Sequence, residues 1–115
     1  MSFEHHISDK KSYQLIKLSG RLIEKSEASE LLEKFEALVS SGSKKYLMNI
    51  EELDYVNSSG LNLLIGMFTM ARNAGGELAI GGVSPKVKKL MVMTKLDSIF
   101  KIYNSEADAA EGLNE

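Results

Sequence analysis

The stretch Leu53-Asp54-Tyr55-Val56-Asn57-Ser58-Ser59-Gly60-Leu61 decides the fold. A strand of buried type, Tyr46-Leu47-Met48-Asn49-Ile50, runs into it, and an apolar helix, Leu61 to about Met70, runs out of it. The same stretch sets two adjacent hydroxyls where a helix begins. The first N–H groups of a helix have no partner inside it, and the helix dipole makes that end partly positive. A serine there can cap the helix, and a phosphate carried there would be stabilised by the same groups. From these residues alone both readings stay open.

Working outward, the chain before this stretch reads as two strands and a helix. Met1 to Ile7 suits a short first strand, Ser8-Asp9-Lys10-Lys11-Ser12 a turn, and Tyr13 to Leu18 a second strand closed by Ser19-Gly20. The two pair as an antiparallel hairpin. From Ser26 to Ser40 the pattern becomes helical, with Leu31, Phe35 and Leu38 on one face and Leu32 and Val39 beside it. Glu27 and Glu30 suit the positive end of the dipole, Glu30 and Lys34 make an i,i+4 pair, and Gly42 ends the helix.

After the central helix, which ends near Asn73-Ala74-Gly75-Gly76, Glu77 to Ile80 is a short strand closed by Gly81-Gly82. Ser84-Pro85 starts a further helix, with serine as N-cap, proline at the first helical position and Val87, Leu90, Met91 and Thr94 facing inward. Ile99 to Tyr103 is the last strand, and Ser105 to Ala110 opens a final short helix. The order β-β-α-β-α-β-α-β-α predicts an α/β fold. Helical crossovers imply a parallel section of sheet, and the opening hairpin adds an antiparallel edge.

Composition narrows the function. At 115 residues the whole chain, 1–115, is expected to form one domain. A net charge of −2 with both signs interspersed argues against nucleic acid as the main ligand. The absence of cysteine rules out disulfides, a thiolate nucleophile and a cysteine-based zinc site. No signal-peptide pattern opens the sequence and no apolar run reaches the length of a membrane span, so a cytoplasmic protein without membrane insertion is expected.

The remaining candidates for chemistry are thin. His5 and His6 are adjacent, so on a strand they point to opposite faces and cannot easily share a metal. Lys86, Lys88 and Lys89 read as a solvated helix face. Gly75-Gly76 and Gly81-Gly82 bracket a strand and lack the spacing of a phosphate-cradling loop. Nothing places a histidine near Ser59, so no nucleophile–base pair emerges, and no enzyme activity, metal or cofactor is expected. The central helix carries one further feature. Beside the face formed by Leu61, Leu64, Ile65 and Phe68 runs a second apolar stripe, Leu63, Met67 and Met70. It packs on a neighbouring helix or faces a partner, for which methionine is well suited.

The chain resembles the STAS family, named for sulfate transporters and anti-sigma factor antagonists, over almost its whole length. Gly20-Arg21-Leu22 is similar to the family's Gly-x-Leu after the second strand, and Asn57-Ser58-Ser59-Gly60-Leu61 to its Asp-Ser-Ser-Gly-Leu. Gly76 to Ile80, Ser84-Pro85-Lys86-Val87, Leu96-Asp97 and Ser105 to Ala110 follow at family spacing. Three positions depart from it: Asn57 and Asn49 stand where the family has Asp, and Ile23, followed by Glu24, stands where an Asp commonly follows Gly-x-Leu. The resemblance implies a mixed sheet with helices mainly on one side and no catalysis. In the antagonist branch it implies that an anti-sigma factor, itself a serine kinase, phosphorylates the domain at the position of Ser59 and that a serine phosphatase reverses the mark. Asn57, Ser58, Ser59 and the stripe Leu63, Met67 and Met70 are then the expected partner contacts. The other reading within the family is a constitutive subunit of a larger complex, such as a lipid-transport ABC system.

Overall fold

The computed structural model describes residues 3–23 and 25–113; Met1, Ser2 and Glu24, which figured in the expectations above, lie outside them. The first two strands, β1 (Glu4–Asp9) and β2 (Gln14–Leu22), pair antiparallel from Glu4↔Ser19 to Asp9↔Gln14. Their turn is held by the Asp9 carboxylate, which accepts from the Lys11 N–H at 2.8 Å, and by the Lys10 N–H, which donates to the Tyr13 carbonyl at 2.9 Å.

A 3-10 turn, Lys25–Ala28, leads into α1 (Ser29–Ser40), which buries Leu31 and Phe35 and carries the Glu30–Lys34 pair at 3.3 Å. Then follow β3 (Lys45–Val56), α2 (Ser58–Asn73), β4 (Glu77–Val83), α3 (Pro85–Met93), a 3-10 turn Leu96–Ser98, β5 (Lys101–Tyr103) and α4 (Glu106–Leu113). The five strands lie side by side in chain order, and β2–β3, β3–β4 and β4–β5 are all parallel. The α/β mixed sheet read from the sequence is therefore the one observed.

The parallel crossovers place α1, α2 and α3 on one face, as the common right-handed sense requires. There Ile16, Leu18 and Leu22 of β2, Tyr46, Met48 and Ile50 of β3, and Leu78 and Ile80 of β4 meet Leu31, Phe35, Leu64, Met67, Val87 and Met91. Alternate strand residues point the other way, since side chains alternate across a strand. On that second face Leu15, Leu47 and Ala79 meet Ala109 and Leu113 of α4, with Tyr13 and Tyr103 packed against the same cluster. A polar link reinforces the contact: the Asn49 amide donates to the Glu106 carboxylate at 2.7 Å, and Lys17 stands 3.7 Å from the same oxygen. An aspartate at 49 would set two carboxylates against each other here.

Several boundaries differ from the expectation, mostly because strands run on. β2 continues through Ser19-Gly20, and β4 continues through Gly81-Gly82. Both dipeptides were read as stops. Instead the β3–β4 register slips between Met48↔Ile80 and Ile50↔Val83, and Gly82, at φ +95°, absorbs the extra residue as a bulge. The last strand is shorter than expected because a 3-10 turn takes Leu96–Ser98 and Lys101 is the first paired residue.

Candidate functional site

The far end of β3 outruns its neighbour. Pairing with β4 ends at Ile50↔Val83, whereas pairing with β2 continues to Leu22↔Val56. The start of α3 closes the gap. The Ser84 N–H donates to the Ile50 carbonyl at 3.3 Å, and the buried Ser84 hydroxyl donates to the Leu53 carbonyl at 2.7 Å. Ser84 was expected to cap α3 with its side chain; its backbone does take the cap position, but its hydroxyl serves β3 instead. Leu53 and Val56 enter the core, while Asp54 and Tyr55 face solvent. The Arg21 guanidinium lies 5.1 Å from the centre of the Tyr55 ring, a cation–π contact between paired strands. Asp54 and Lys86 are 3.8 Å apart but both well exposed, so the pair adds little stability.

Asn57 then ends the strand and starts the helix. Its backbone is extended, and its side-chain oxygen accepts from the Gly60 N–H at 3.0 Å. Its amide nitrogen donates to the Ile23 carbonyl at 2.8 Å, and its own N–H donates to the Leu22 carbonyl at 3.3 Å. The cap of α2 is thus Asn57, not a serine. Ser58 and Ser59 are both exposed, and neither hydroxyl has a partner among the described residues. Gly60 packs against β2 and β3 so closely that an added Cβ would fall 2.3 Å from a Val56 methyl carbon and 2.8 Å from the Leu22 carbonyl oxygen.

The expected partner contacts divide. Ser58 and Ser59 stand together on the surface. Asn57 is half-buried, with both ends of its amide turned onto the chain itself, so it positions the serines. The apolar stripe is corrected: Leu63 is 3% exposed and Met67 fully buried, and Met70 packs half-buried against the same core. At 100° per residue, Gly60, Leu64, Met67 and Ala71 form the centre line of the buried face, with Leu61 and Phe68 on one flank and Leu63 and Met70 on the other. The helix sits on the sheet with α1 beside it, and this wide contact takes both stripes.

The exposed apolar surface lies elsewhere. Ile23, Tyr55 and Met93 are 39%, 42% and 71% exposed. A groove of about 250 Å³ runs between the end of β3 and α3, lined by Tyr55, Val56, Val87, Leu90 and Met93 and edged by Lys86 and Lys89. The sequence held part of this signal. Val92 and Met93 fall outside the inner face set by Val87, Leu90 and Met91, so two apolar residues of a short helix had to point outward. Tyr55 gave no such signal, because the register slip between Gly20↔Leu53 and Arg21↔Tyr55 breaks the alternation that would have placed it. His5 is half-buried and His6 exposed, and the described residues hold no cluster of three or more His, Asp or Glu side chains placed for a metal.

Comparison with known proteins agrees with this architecture. The STAS domain family model matches residues 9–109. An anti-sigma F factor antagonist of Paenibacillus polymyxa is 28% identical over 109 residues, 95% of this chain and 90% of that protein. Among solved structures, an anti-sigma factor antagonist from Mycobacterium paratuberculosis superposes with a TM-score of 0.82 at 18% identity, covering 99% of this chain and 96% of that one. The Bacillus protein SpoIIAA is similar in its unphosphorylated form, TM-score 0.80 at 19% identity with 96% of each chain covered. In its phosphorylated form the score is 0.71 at 20% identity, covering 96% of this chain and 97% of that one. At these identities the solved structures speak for the fold alone.

Proposed function

The chain belongs to the STAS domain family, and from that premise we propose that it is an anti-sigma factor antagonist, a binding module without catalytic activity whose partner is an anti-sigma factor that is also a serine kinase. One observation carries the reading. Two serine hydroxyls stand exposed and unpartnered in the first turn of α2, because Asn57 has taken over the cap. The Paenibacillus polymyxa relative is an anti-sigma F factor antagonist, and SpoIIAA, which shares the fold, exists in a phosphorylated form. Ser59 is the residue modified, by its place in the motif; a serine phosphatase restores the free hydroxyl, and the cycle runs in the cytoplasm.

Phosphate at Ser59 would bring up to two negative charges to the start of α2. Within the chain the helix dipole favours them. Toward a partner seated on Ile23, Tyr55 and the Met93 groove they do the opposite, because they carry a desolvation cost into an apolar contact. The modification therefore weakens binding while leaving the fold alone.

The test has two arms. Kinase and ATP are added to the protein, and the phosphosite is mapped by mass spectrometry; the label falls on Ser59 and disappears in Ser59→Ala. Phosphate on Ser58 alone, or undiminished label in Ser59→Ala, overturns the assignment. In the second arm Ser59→Asp retains the wild-type melting temperature and loses affinity for the anti-sigma factor captured from the native cell. Equal binding by the two proteins would instead mark a constitutive subunit.

A further inference from the structure

At the end of α2 remote from the serines, a cleft of about 300 Å³ opens between that helix, the start of β4 and the approach to β5. Its apolar wall is Phe68, half-buried, Leu78, buried, and Ile99, 47% exposed. Two cations, Arg72 and Lys101, line it, together with one carboxylate, Glu77. The ion pairs among the described residues use Lys17, Lys34 and Lys86, so neither Arg72 nor Lys101 is tied to a carboxylate within 4 Å. The Arg72 guanidinium instead lies 5.8 Å from the centre of the Phe68 ring, which Phe100 meets edge-on at 5.0 Å. That cation–π contact uses none of the guanidinium N–H groups, which leaves the fork of donors for another group.

A concave apolar wall beside two cations that outnumber the single carboxylate selects an anion with an apolar body. Because Arg72 is already laid on Phe68, little side-chain order has to be imposed when the anion arrives. We propose that this cleft binds a small organic monocarboxylate, its carboxylate between Arg72 and Lys101 and its aromatic or branched body against Phe68, Leu78 and Ile99. Glu77 opposes a second negative charge, which disfavours dicarboxylates and phosphate esters. The 16-residue α2 separates Arg72 from Ser58 by about 20 Å, so the site is distinct from the serine face and stands whether or not Ser59 is phosphorylated.

The experiment titrates the full-length, nitrogen-15-labelled protein with phenylacetate and follows its amide resonances. Saturable shifts are expected in the segments 68–78 and 99–101, with a dissociation constant of about 0.1–1 mM, and phenylacetamide, which lacks the charge, binds at least about tenfold more weakly. Arg72→Gln and Lys101→Gln, both at exposed positions, each weaken phenylacetate at least about threefold at unchanged melting temperature, whereas Glu77→Gln tightens it. The proposal is overturned if no saturable shift appears by about 10 mM, if the amide binds as well as the acid, or if both cation-removing variants bind like wild type. Weaker binding by Glu77→Gln also overturns it, since that would mean a ligand with its own positive charge.

Discussion

At position 57 a carboxamide makes contacts that no carboxylate or hydroxyl could reproduce together. It accepts from the Gly60 N–H at the helix start and donates to the Ile23 carbonyl across the gap to β2. Asn57→Ala loses both and should cost about 1–3 kcal/mol in urea unfolding. Asn57→Asp, which restores the family's residue, keeps the acceptor and adds a charge that the dipole favours, worth about 0.3–1 kcal/mol. It also sets a carboxylate oxygen against the Ile23 carbonyl. The aspartate variant should therefore fall between wild type and Asn57→Ala; an alanine variant as stable as wild type would show that the clamp contributes nothing.

Among the elements, α2 shows where sequence reading succeeds and where it stops. Its existence followed from strand, serines, glycine and an apolar run. Which of its apolar stripes are buried did not follow, because the periodicity of one helix does not say how many neighbours it has. Met67→Glu separates the two placements. In the core it buries an unpaired charge and should cost more than about 3 kcal/mol, with a collapse of the melting temperature. Met93→Glu, on an exposed side chain, should leave the melting temperature in place and weaken the proposed complex with an anti-sigma factor by about 1–3 kcal/mol. Unchanged binding by Met93→Glu would move the contact surface away from the α3 groove. The glycine pairs teach the same lesson from the other side: Gly81-Gly82 looks like punctuation in one dimension, and only the mismatch of two strands turns it into a bulge. Asn49, too, was a bare departure from the family until α4 brought Glu106 within 2.7 Å of it.

For the whole molecule, one titration stands out. Tyr46 lies fully buried at the start of β3, its hydroxyl donating to the Ser43 carbonyl at 2.6 Å, and burial pushes its phenol above the usual tyrosine range. The folded state thus holds this proton more tightly than the unfolded chain. Its contribution is complete below the unfolded pKa of about 10 and is lost as pH rises through the folded value. Tyr46→Phe should be less stable than wild type at neutral pH by about 0.5–1.5 kcal/mol, and that gap should narrow in unfolding curves taken above about pH 10. A gap that stays constant would mean that the phenol titrates alike in both states.

The strand order β1-β2-β3-β4-β5 bears on how such a molecule is made. Each strand joins the outer edge of the one synthesised before it, so none has to be threaded between two already paired. A chain emerging from the ribosome can add one strand and then its covering helix, in order, without undoing an earlier contact. In the chain α4 follows every strand of the sheet, so Leu15, Leu47 and Ala79 lack the cover of that helix until Ala109 and Leu113 have been made. That interval is when an unfinished copy is most exposed to aggregation, and it closes with the arrival of Ala109 and Leu113.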